Sequence, residues 1–73
     1  MKVRTNLRLL RDTSGLSLRQ LGEHTGINFS ELSKMERGKA IPTNDELLRI
    51  CRALNCTEDM LYPDPETRKV LAE

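Results

Sequence analysis

Gly26 constrains this chain more than any other residue, because it stands between two stretches that each begin with a helix-capping side chain and each carry apolar residues at helical spacing. In Ser17-Leu18-Arg19-Gln20 the Ser hydroxyl can take the amide three residues on while Gln20 reaches back to the Ser17 amide. Asn28-Phe29-Ser30-Glu31 repeats that pattern, and Thr43-Asn44-Asp45-Glu46 repeats it again ahead of Leu47, Ile50, Cys51 and Leu54. A glycine turns the chain sharply between the first two stretches because it adopts a positive φ at no steric cost. Residues 17–37 are therefore expected to form two short helices about a Gly-centred turn, with Leu21, Gly22, Ile27, Leu32 and Met35 facing inward.

The same signals bound the other elements. A first helix is predicted from Val3 to Thr13, on the stripe Val3, Leu7 and Leu10 with a stop at Gly15, and the helix after Gly26 from Phe29 to Arg37. A fourth runs between Thr43 and Asn55, and a short fifth follows Thr57 through Leu61, broken by Tyr62-Pro63. With one Tyr, one Phe and no Trp among 73 residues, the core has to be aliphatic, which suits packed helices. The expectation is an all-α, compact bundle of five short helices forming one domain over residues 1–62. The tail, 63–73, has an Asp-Pro start suited to a helix N-terminus, and then only Val70 and Leu71 as apolar surface. It is expected to be helical, frayed or paired with a partner chain.

Several function classes fall away on composition. No run approaches the roughly 20 apolar residues that cross a bilayer and no apolar leader opens the chain, so a cytoplasmic protein without a membrane partner is expected. Cys51 and Cys56, with the single distant His24, fall short of a metal site and read as reduced core thiols, so no metal and no cofactor are expected. The lone His and scattered carboxylates supply no nucleophile or acid–base pair, so no enzyme is expected, and no small-molecule ligand is evident. The net charge of +1 conceals an asymmetry: the first 40 residues hold eight basic and four acidic groups, the remainder four basic and seven acidic. One face could attract phosphate while another does not, although an ordinary solvated surface accounts for charge alone.

Opposite the inward stripe, the helix after Gly26 presents Phe29, Ser30, Ser33, Lys34 and Arg37. A helix projected from the surface in this way suits the groove of a duplex. In order along the chain stand Leu10-Arg11, Gly15-Leu16-Ser17, Leu21-Gly22, Gly26-Ile27, Leu32-Ser33, Glu36-Arg37-Gly38-Lys39, Pro42 and the stretch from Leu47 to Leu54. Together they resemble the phage repressor and Cro type helix-turn-helix domain, the XRE family, over about Leu7 to Tyr62. The resemblance implies a lambda-repressor-like DNA-binding fold and a transcriptional regulator, a repressor by preference.

It also implies roles position by position. Phe29, Ser30 and Lys34, with Ser33 assisting, would read bases in the major groove: Lys34 at guanine, Ser30 at either base, Phe29 at a thymine methyl. Ser17, Arg19, Arg37 and Lys39 would hold phosphates, with amides at helix N-termini. Arg11 and Glu36 would pair as a structural salt bridge. The family usually has Gln directly after the second helix's cap as a phosphate clamp, and Leu18 stands there instead. A homodimer on two half-sites of double-stranded DNA would be the working form, with the region from Tyr62 to Leu71 as one candidate dimer surface. The alternative is a protein-interaction module of an antitoxin or phage anti-repressor kind, docking a partner through Phe29 and the C-terminal tail.

Overall fold

The computed structural model describes residues 3–67, and these are all-helical, with no strand among them. Five helices follow in order: α1 (Leu7–Thr13), α2 (Leu18–Thr25), α3 (Phe29–Glu36), α4 (Asn44–Leu54) and α5 (Glu58–Leu61). Residues 65–67 are helical again, with Asp64 Oδ1 accepting the Glu66 amide at 3.0 Å, so the Asp-Pro step does open a helix. The expectations for Val70 and Leu71 lie outside the described residues.

The first helix starts one turn later than its apolar stripe predicts. Val3 is buried at 8% exposure, but from a non-helical segment: its amide donates to the Gly38 carbonyl at 2.9 Å, and the Asn6 amide donates to the Leu61 carbonyl at 2.9 Å. This entry ties residues 3–6 to the loop after α3 and to α5, and Val3 reaches the core without belonging to the helix. Periodicity cannot separate these two routes to burial, since both place Val3 inward. The third helix also closes one residue short of Arg37, which is its C-cap.

Two of the three expected capping boxes form. Ser17 Oγ accepts the Gln20 amide at 3.0 Å and Gln20 Oε1 accepts the Ser17 amide at 2.8 Å, with the equivalent pair at Thr43 and Glu46. At α3 the box does not form. Asn28 Oδ1 accepts the Ser30 amide at 2.9 Å and the Ser30 hydroxyl at 2.7 Å, while Glu31 turns outward to Lys34 at 3.5 Å. The Asn28 carboxamide oxygen takes the second helical amide, and the Ser30 hydroxyl supplies a second donor beside it.

Leu7, Leu21, Leu32, Met35, Leu47, Ile50, Leu54 and Leu61 make one aliphatic core, joined by Val3, Ile27, Cys51 and a fully buried Tyr62. Within it α2 packs on both α3 and α4, so the second and third helices share a rigid base. Gly22 is the point of closest approach: a Cβ there would lie 2.8 Å from the Ile27 carbonyl oxygen. Gly26, at φ 74°, ends α2 in the left-handed region. Thr25 pins the turn from beneath, its hydroxyl donating to the Leu21 carbonyl at 2.8 Å and accepting the Ile27 amide at 3.2 Å. Among the described residues no helix is long and apolar enough to cross a membrane, and no three His, Cys, Asp or Glu side chains gather as metal ligands.

Candidate nucleic-acid interface

The site begins with what holds α3 in place. Arg11, on α1, donates from Nε to Glu36 Oε2 at 2.5 Å and from its Nη1 to the Leu16 carbonyl at 2.7 Å. The Arg11 side chain is 13% exposed and that of Glu36 8%, so the pair is largely removed from water. Glu36 holds the Arg11 guanidinium above its usual pKa, against a smaller opposing effect of burial. One side chain therefore fastens α1, the loop entering α2, and the last turn of α3. Arg49 adds a second tie, donating to the Thr25 carbonyl at 3.4 Å while pairing with Asp45 at 2.7 Å.

On that base the outer face of α3 is displayed. Phe29, Ser30, Lys34 and Arg37 are exposed and Ser33 is half-buried. Ser30 directs its hydroxyl proton at Asn28, which leaves its oxygen lone pairs as the outward function. Lys34 pairs with Glu31 at 3.5 Å, both side chains about half exposed, a contact weak enough to exchange for a stronger acceptor. Arg37 folds back, its Nε donating to the Ser33 carbonyl at 3.3 Å, so its positive charge meets a neutral acceptor.

Arg8, Arg11 and Arg49 each have a carboxylate within ion-pair distance, whereas Arg4, Arg19, Arg37, Lys39 and Arg52 have none among the described residues. Of these five, Arg19, Arg37 and Lys39 are the ones the sequence marks for phosphates, and they lie in the first turn of α2 and just after α3. Ser17 gives its amide to Gln20 and accepts the Gln20 amide at its oxygen, while its hydroxyl proton has no acceptor among the described residues. The amides of Leu18 and Arg19 have no acceptor among the described residues and face outward from the first turn of α2.

One contact was not foreseen in the sequence. The Arg19 guanidinium carbon lies 5.6 Å from the centre of the Phe29 ring, so the first turns of α2 and α3 touch through a cation–π pair. Both residues line an open cleft at the turn, shared with Gly22, Gly26, Ile27 and Asn28. Ten positions separate them, and no local spacing rule joins residues across a glycine turn.

Comparison with known proteins adds an independent line. The model of a family described as "Helix-turn-helix domain" matches residues 4–61. An uncharacterized HTH-type transcriptional regulator of Mycobacterium tuberculosis, represented in strains CDC 1551 and H37Rv, is 39% identical over 56 residues, covering 77% of this chain. The match spans 40% of the length of those relatives. Among solved structures, the clp gene regulator ClgR from Corynebacterium glutamicum superposes with a TM-score of 0.70 at 30% identity, covering 90% of this chain and 68% of that one.

Proposed function

This chain belongs to the helix-turn-helix domain family, and we propose that it is a sequence-specific, double-stranded-DNA-binding transcriptional regulator of the XRE type, a repressor, working in the cytoplasm. The observation that carries the reading is the face formed by α3 and the start of α2. It joins outward polar side chains at Ser30, Ser33 and Lys34 to three cations, Arg19, Arg37 and Lys39, that no carboxylate among the described residues neutralises. Residues 1–62 act as the DNA-binding unit. Lys34 is the strong donor for guanine O6 or N7, and Ser30 accepts from an exocyclic amine of cytosine or adenine. Arg37, Lys39 and the free amides of Leu18 and Arg19 hold the phosphates and set the register.

A single recognition helix gives modest affinity, so the working form is a homodimer on two half-sites roughly one helical turn apart. The names borne by the M. tuberculosis relatives and by ClgR support regulation of transcription. The protein-docking reading draws on Phe29, which is 49% exposed with Arg19 lying over its ring. Salt separates the two readings: DNA affinity held by several phosphates falls steeply as salt rises, whereas an apolar docking face barely responds. An electrophoretic shift that strengthens sharply at low salt supports DNA binding. Absence of any shift with any duplex at low salt would overturn it.

A further inference from the structure

We infer that Phe29 is a positioning residue for Arg19: its ring holds the guanidinium at the mouth of the turn, where the pair supplies the phosphate clamp that Leu18 cannot. The inference rests on the DNA-binding reading above and concerns how that same face grips its ligand.

Four observations lead to it. The Arg19 guanidinium carbon lies over the ring, 5.6 Å from its centre, and has no carboxylate partner among the described residues, so the ring is the partner for its charged end. Glu23, one turn further along α2, is also part of the cleft lining but does not pair with Arg19. Arg19 sits in the first turn of α2, beside the unpaired amides of Leu18 and Arg19 itself, so a phosphate oxygen there would meet amide donors and a guanidinium together. Leu18 is half-buried and packs against the core, which removes the preceding position from any polar role.

A flexible Arg on an exposed first turn loses rotamer freedom when it binds, and stacking on a fixed aromatic removes part of that loss beforehand. The Phe29 backbone is set in turn, because it is the first residue of α3, next to Asn28, whose cap anchors the helix start and so fixes where the ring leaves the helix. The aromatic therefore contributes to affinity through Arg19 rather than by contact with a base. Its signature is electrostatic and indifferent to sequence.

The test uses the intact chain and a duplex selected by it, with Phe29→Leu, Phe29→Tyr, Arg19→Ala and the Phe29→Leu/Arg19→Ala double variant. Circular dichroism first confirms that each is folded. Phe29→Leu is expected to weaken binding about two- to five-fold. It should lower the slope of log affinity against log salt by up to about 0.9 per bound chain, equally on specific and random duplexes. Phe29→Tyr, which keeps the ring face, should restore both, and Phe29→Leu should add little in the Arg19→Ala background. In the free protein the Arg19 side-chain protons should be ring-current shifted upfield, and the shift should vanish in Phe29→Leu. Additive effects of the two substitutions, a change of base preference at one position with an unchanged salt slope, unaltered DNA binding by Phe29→Leu, or unshifted Arg19 protons would each overturn the inference. Failure of the wild-type chain to bind any duplex would instead remove the DNA-binding reading, and this inference with it.

Discussion

Lys34 on α3 and Arg37 at its C-cap stand one turn apart, yet they are expected to respond differently to truncation, because the proposed reading assigns one to bases and the other to phosphates. Lys34→Ala should relax discrimination at one base position by about 1–3 kcal/mol. Arg37→Ala should weaken binding to all duplexes alike and reduce the salt slope by about 1; quantitative binding over a salt series on matched and mutated duplexes distinguishes them. Arg11 and Glu36 belong to stability. Removing one partner, as in Glu36→Ala, leaves a guanidinium largely out of water with only the Leu16 carbonyl and Asp12 nearby, and should cost about 3 kcal/mol in denaturant unfolding. At this scale the sequence discloses which residues face outward, since helical spacing fixes that. It discloses the Ser17–Gln20 capping box as well, because that exchange follows from the spacing. It does not disclose that Ser30 turns its hydroxyl to Asn28 or that Arg19 meets Phe29, and the latter pair spans a turn that no periodicity describes.

Among the elements, α2 and α3 matter most, because their mutual setting decides what the outer face presents. Gly22→Ala places a methyl against the Ile27 carbonyl, a backbone atom that can move only by shifting α3, so both the melting temperature and DNA affinity should drop. Gly26→Ala forces a side chain into the left-handed region and is expected to cost about 1–2 kcal/mol, read as a fall in melting temperature of several degrees, with the helix setting largely kept. Most of the helical architecture is legible in the sequence because its punctuation is chemical: Ser17, Thr43 and Thr57 cap α2, α4 and α5, and Gly26 and Asn55 end α2 and α4 in left-handed conformations. The start of α1 is not legible, because Val3 is buried from a non-helical segment whose partner, Gly38, lies 35 residues on. Long-range backbone pairing leaves no local pattern to read.

Across the whole molecule, the small core makes stability depend on neutral groups staying neutral. Burial pushes the Cys51 thiol up to about 12 from an ordinary value of 9.0, and the buried Tyr62 phenol up to about 12 from 10.0. The Tyr62 hydroxyl has no hydrogen bond of good geometry among the described residues, although Thr5 lies close enough to offset a little of that shift. Both folded-state values lie above the unfolded ones, so the neutral forms stabilise the fold fully below about pH 9, and that stability is lost as pH rises toward 12. A melting temperature that stays level to about pH 9 and then declines is expected, with the decline beginning later in Cys51→Ala. A decline that begins at neutral pH would contradict this. The same compact body carries the functional face, and whether that face reads DNA is the decisive point. Selection of duplexes bound by the chain from a random pool, followed by sequencing, measures it directly. Enrichment of one motif in two symmetric half-sites about 10 base pairs apart is predicted. A pool that stays random after repeated rounds at low salt would contradict it.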